Sequence, residues 1–128
     1  MYRSRPFLEE FLGGCLRALD EMACEDFEII LVNDGSPDDS LVYVRDRKRD
    51  IPQLVLVDLS RNFGHHNAMQ AGLQVARGDL VFLIDCDLEV PPAVLCDLHR
   101  KQQATEADLV FGYQEARKGG GSRGSRPP

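Results

Sequence analysis

The sequence predicts an α/β fold in which a mostly parallel sheet is flanked by helices, and three observations carry that reading. Apolar runs of strand length alternate with helix-like segments along the 128 residues, and such alternation implies parallel pairing through helical crossovers. The runs are apolar on consecutive residues, Ile29 to Val32, Leu54 to Val57 and Leu80 to Ile84, as strands covered on both faces are. Each run then hands over to a polar stretch: "NDGS", "SRNFGHH", "DCDLE" and, after a fourth run, "GYQEAR". In a parallel sheet these stretches share the carboxyl edge, where ligands bind.

The elements follow in order. Pro6 suits the first turn of a helix, and Phe7, Leu8, Phe11, Leu12, Cys15, Leu16 and Leu19 follow at helical spacing. "FEIILVNDGSPDDS" reads as strand, loop and helix start, with Ser36-Pro37 opening the second helix. That helix carries Leu41, Val44 and the charged "RDRKRD", and ends before Pro52. "QLVLVDLS" is the second strand, "HHNAMQAGLQVA" the third helix, and Gly78 its expected stop. "DLVFLID" is the third strand, Pro91 and Pro92 open a helix through about Gln103, and "ADLVFG" is the fourth strand. The sum is a Rossmann-like layered domain over residues 1–116, followed by a Gly/Ser/Arg/Pro tail, residues 117–128, with no apolar residue to dock it and hence expected to be disordered.

Composition narrows the function. At 43% hydrophobic the chain can bury a core, and its formal charge of -6 argues against nucleic acid or an anionic membrane surface as the main partner. Cys15, Cys24, Cys86 and Cys96 show no Cys-x-x-Cys spacing and read as reduced thiols of a cytosolic protein. No apolar run approaches the length of a membrane span.

With 13 aspartates in the chain, about one Asp-x-Asp pair is expected by chance, so the pair Asp85 and Asp87 gains weight only from its place at a strand end. There the two carboxylates suit a hard divalent cation, manganese or magnesium, with Glu89 as a third candidate and open positions for substrate phosphates. The competing reading is that Asp87 or Glu89 caps the following helix. Asp34 is either a turn carboxylate accepting backbone N–H bonds or an acceptor for a nucleoside ring N–H or ribose hydroxyl. Arg61 offers a cation to phosphate, and Gly64 lets backbone approach a ligand ahead of a helix N-terminus. Adjacent His65 and His66 diverge at a helix start, which favours capping or surface roles over metal ligation. Cys86 is expected to point into the sheet, with no cysteine–histidine nucleophile in view.

The blocks "EIILVNDGSPDDS", "LSRNFGHHNAMQAGLQVARGDLVFLIDCDLEVPP" and "ADLVFGYQEAR", in this order from Arg5 to Arg117, resemble the family 2 glycosyltransferases of GT-A fold, in particular the dolichol- and undecaprenyl-phosphate sugar transferases. The resemblance implies a nucleotide contact at Asp34, a donor pocket lined by Arg61, Asn62 and Gly64, and a divalent cation with the donor diphosphate at Asp85 and Asp87, joined by Glu89. It implies hexosyl transfer from a UDP- or GDP-sugar to a lipid phosphate, in cell-envelope glycan synthesis at the cytoplasmic face of the plasma membrane. Members usually begin with a strand ending near "P-x-Y/F-N-E", whereas this sequence starts at the helix that follows it. Gln114 stands where relatives often carry arginine, leaving Arg117 as a phosphate partner. The resemblance therefore implies a fragment without that strand, the acceptor-side segments or the membrane helices, and inactive by itself. The rival readings are a nucleotide-sugar-binding module without catalysis and a metal-dependent phosphohydrolase, for which "LEVPP" after Asp87 is a poor match.

Overall fold

A computed structural model describes residues 1–112; the expected tail, the boundary at residue 116, Gln114 and Arg117 lie outside the described residues. The elements are α1 (Arg5–Glu21), β1 (Ile29–Asn33), α2 (Ser40–Arg47), β2 (Leu54–Asp58), α3 (His65–Val75) and α4 (Val94–Thr105). The strands pair in parallel, from Ile29 opposite Leu54 to Asn33 opposite Asp58. The predicted α/β class with parallel pairing and flanking helices holds, in reduced form.

Helix α1 forms because its apolar residues recur every three or four positions, and it buries Leu8, Phe11, Leu12 and Ala18 along one stripe. Pro6 stands in its first turn as expected. The stripe joins Leu31, Val44, Ile51 and Leu54 in one core. The β1 pleat then explains why the strand is apolar throughout. Leu31 points toward α1 and α2 in that core, whereas Ile30 and Val32 point the other way, where a Cβ added at Gly72 of α3 would stand 3.2 Å from Val32 Cγ2. Helices thus cover both faces of a two-stranded sheet.

Three expectations are corrected. Residues 80–84 form no strand, and neither do residues 107–112, of which Leu109 and Phe111 are 75% exposed. An apolar run becomes a strand only when a neighbouring edge takes its N–H and C=O groups, and no strand of the two-stranded sheet pairs with either segment. Nor does Gly78 stop α3, which ends when Ala76 turns extended at φ -63° and ψ 136°.

The start of α1 is tied to the start of α2 through Asp38. Its Oδ1 accepts the Ser36 hydroxyl at 2.5 Å and the Ser40 N–H at 3.1 Å, and its Oδ2 accepts the Arg5 N–H at 3.3 Å. Burial would raise this carboxyl, but the hydrogen bonds from Ser36, Ser40 and Arg5 outweigh it and bring the pKa down to about 2. A carboxyl held lower when folded than the usual value of about 3.9 stabilises the fold fully above that value and loses the contribution as pH falls through the folded pKa. Urea midpoints measured from pH 5 to pH 2 should therefore fall, and Asp38→Asn should flatten that fall; an identical acid limb in the variant would remove Asp38 from the account.

Candidate functional site

The loops that follow β1 and β2 meet at one groove of about 1040 Å³, which runs between β1, the N-terminus of α3 and residues 78–87. One end is apolar, lined by Ile30, Val32, Leu80, Phe82 and Ile84; the other gathers Asp34, Asn62, Gly64, His65, Asp85 and Asp87. Five of the seven site residues expected from the sequence thus line a single cleft. Arg61 and Glu89 do not line it.

Asp34 is 4% exposed, and its Oδ1 accepts the Phe63 N–H at 2.7 Å. The carboxylate accepts a backbone N–H, but the donor lies 29 residues away and not in the local turn. This bond fastens the loop after β2 to the loop after β1. Gly35 makes the approach possible: its φ is +66°, and a Cβ there would come 2.6 Å from the Arg61 carbonyl carbon. Oδ2 of Asp34 has no protein partner among the described residues, so one acceptor remains for a ligand in the cleft.

Loop 60–64 leads into α3. The Asn62 side chain accepts the Gly64 N–H at 3.1 Å, and the Asn67 side chain donates to the Phe63 carbonyl at 2.7 Å. Gly64, at φ 94° and ψ 159°, occupies backbone space open in practice only to glycine. No side chain caps α3, so its first N–H groups are available to an anion. Arg61 lies over the Phe63 ring at 4.7 Å, outside the cleft lining.

Asp85 and Asp87 lead into a sharp turn in which Leu88 takes a positive φ of 66°. Asp87 Oδ1 accepts the Glu89 N–H at 3.0 Å. That bond shapes its own turn and does not cap the next helix, whose N-cap, Ala93, has no side-chain bond. His65 Nε2 stands 3.5 Å from Asp85 Oδ1, both side chains more than half exposed. The histidine pair had suggested only capping or surface roles; its placement beside an acid 20 residues on has no signature in local sequence.

Among the described residues no three His, Cys, Asp or Glu side chains, Asp85, Asp87 and Glu89 included, are gathered as a group that could hold a metal ion. Two exposed carboxylates, each with an oxygen left free, are nonetheless the donor set that fits magnesium or manganese, ions commonly held by one or two carboxylates with water and substrate phosphates completing the shell. Cysteine chemistry finds no support. Burial, then the neighbouring Cys86, pushes the Cys15 thiol up to about 11 and burial raises Cys96, while Cys86, expected to point into the sheet, instead packs against the core from a turn.

The model of glycosyl transferase family 2 matches residues 1–128, and the chain belongs to that family. Its α/β core is consistent with a truncated GT-A domain of Rossmann-like build. It is similar to a Mycobacterium tuberculosis protein named among glycosyltransferases, 46% identical over 99% of this chain and 37% of the relative. It is also similar to the undecaprenyl-phosphate 4-deoxy-4-formamido-L-arabinose transferase of Edwardsiella ictaluri, 40% identical over 72% of this chain and 28% of the relative. A third relative is the dodecaprenyl-phosphate galacturonate synthase of Rhizobium johnstonii, 41% identical over 73% of this chain and 28% of the relative. The chain thus spans about a third of the length of these curated relatives.

Proposed function

We propose that this member of glycosyl transferase family 2 binds the nucleoside diphosphate of a UDP- or GDP-sugar in the polar end of the groove. We further propose that the longer protein to which such a domain would belong transfers the sugar to a polyprenyl phosphate. One observation carries the reading: Asp85 and Asp87 share a cleft with Asp34 and the uncapped N-terminus of α3. Asp34 Oδ2 would accept from the nucleoside, and the N–H groups opening α3 would face the diphosphate. Asp85 and Asp87 would hold magnesium or manganese, which supplies positive charge to the departing diphosphate. In the transfer an acceptor phosphate oxygen bonds to the anomeric carbon as the bond from that carbon to the donor diphosphate breaks, the electron pair leaving with the nucleoside diphosphate.

The polyprenyl-phosphate acceptor draws its support from two relatives whose names contain undecaprenyl-phosphate and dodecaprenyl-phosphate. Work at the cytoplasmic face of the membrane belongs to the same proposal; no helix among the described residues is long and apolar enough to cross a membrane. The rival reading, a donor-binding module without chemistry, draws on the chain's covering only 28 to 37% of these relatives.

Calorimetry with a panel of UDP- and GDP-sugars, each with manganese, magnesium or chelator, tests the donor site. Metal-dependent binding of a nucleotide sugar is the expected result, with no lipid-linked sugar formed when a short polyprenyl phosphate is added to this chain alone. No affinity for any donor under any metal condition would defeat the reading, and lipid-linked product from the isolated chain would show that its catalytic unit is smaller than proposed.

A further inference from the structure

We infer, on the donor-site reading proposed above, that His65 chooses the metal: its imidazole Nε2 joins the Asp85 carboxylate in holding the divalent cation and makes the site favour manganese over magnesium. The charge of the groove makes a cation necessary. Its polar end gathers Asp34, Asp85 and Asp87, and no lysine or arginine among the described residues lines it. A nucleoside diphosphate brought to those acids would meet repulsion that the N-terminus of α3 and a bound metal ion must offset.

His65 is placed for this task by the start of α3. Gly64 turns the chain at φ 94° and ψ 159°, and the first helical residue then reaches the acid corner, with its Nε2 3.5 Å from Asp85 Oδ1. That gap is longer than the spacing of about 2.9 to 3.0 Å usual for an N–H···O bond. Two donors at right angles, each about 2.1 Å from one octahedral ion, lie about 3.0 Å apart. The pair therefore needs to close by only about half an ångström to share an ion. His66 provides the contrast: its ring centroid lies 5.8 Å from that of His65, the planes at 65°, and it does not line the groove.

No three His, Cys, Asp or Glu side chains are gathered among the described residues, and ions of this class need only one or two, with water and substrate phosphates completing the shell. His65 and Asp85 supply two donors, and Asp87 keeps Oδ2 for the same ion while its Oδ1 accepts the Glu89 N–H. The nitrogen decides the choice. Magnesium takes oxygen ligands and gives up water reluctantly, whereas imidazole is a common ligand of transition-metal ions. Carboxylates alone offer both ions the same oxygens; an added nitrogen favours manganese.

Two readouts that need no turnover test the assignment. With manganese and UDP or GDP bound to the 128-residue chain, electron spin echo spectra should show modulation from a directly bound nitrogen. Labelling histidine with nitrogen-15 should alter that pattern, His65→Ala should remove it and His66→Ala should leave it. Calorimetry should find the nucleotide bound at least about tenfold more tightly with manganese than with magnesium, a ratio that falls to within about threefold in His65→Gln. Magnesium-dependent affinity should persist in His65→Gln and so report an intact fold. Manganese bound without histidine-nitrogen modulation, or with modulation that His66→Ala removes and His65→Ala does not, would overturn the role of His65 and leave the donor site standing. So would an unchanged metal preference in His65→Gln. No nucleotide bound with either metal would overturn both.

Discussion

Asp87→Ala should abolish manganese-dependent binding of nucleotide sugar wherever the parent binds it. The carboxylate has two duties in the structure, and the variants separate them. Oδ1 accepts the Glu89 N–H and shapes the turn, while the negative charge would help hold the cation. Asp87→Asn keeps an oxygen for Glu89 but loses the charge, so it should retain the turn and still lose metal-dependent affinity, by a factor of at least about 100 if a carboxylate–cation contact goes. Calorimetry in manganese and in chelator reads the affinity, and the Glu89 amide shift reads the turn. Unchanged metal-dependent affinity in Asp87→Asn would leave Asp87 only its turn-shaping role. Glu89→Gln makes a useful comparison, since Glu89 does not line the cleft and should change binding little.

Gly35→Ala should destabilise the domain by about 2 to 4 kcal/mol, the sum of a strained positive φ and an overpacked contact. The added Cβ would press on the Asn62 amide nitrogen and come 2.6 Å from the Arg61 carbonyl carbon, and backbone cannot swing aside as a flexible side chain can. The loop after β2 would be pushed away from Asp34, so the Phe63 amide should lose its protection as well. Asparagine tolerates positive φ better than alanine, so Gly35→Asn relieves the conformational part alone and should remain destabilising. Denaturant unfolding of the three proteins decides between the causes: parent-like stability in Gly35→Asn would show that backbone conformation, and not the packing of two loops, is why glycine stands there.

Helix α1 could be read in detail from the sequence because its evidence is local. The spacing of Leu8, Phe11 and Leu12 and the place of Pro6 concern bonds made within the segment itself. The apolar run Ile29 to Val32 and the polar "NDGS" after it likewise announced β1 and its loop, and the parallel pairing with β2 followed from the helix between them. The meeting of Asp34, Asn62 and Gly64 at one cleft was legible for a related reason, since the carboxyl ends of the parallel strands β1 and β2 share an edge, whereas Asp85 and Asp87 reach the same cleft from a segment that is no strand.

Other features depended on groups far along the chain. The Phe63 amide that Asp34 holds, the stacking of Arg61 on Phe63 and the approach of His65 to Asp85 are set by how two loops and a helix start pack. No residue type at any of these positions names its partner. Residues 80–84 show the limit most clearly, being as apolar as β1 and yet not a strand. A helix satisfies its backbone from its own residues, so sequence periodicity is nearly sufficient to specify it. A strand's backbone is satisfied only by a neighbour, so the sequence determined that residues 80–84 were suited to a sheet, and the absence of a paired edge beside them decided that they did not join one.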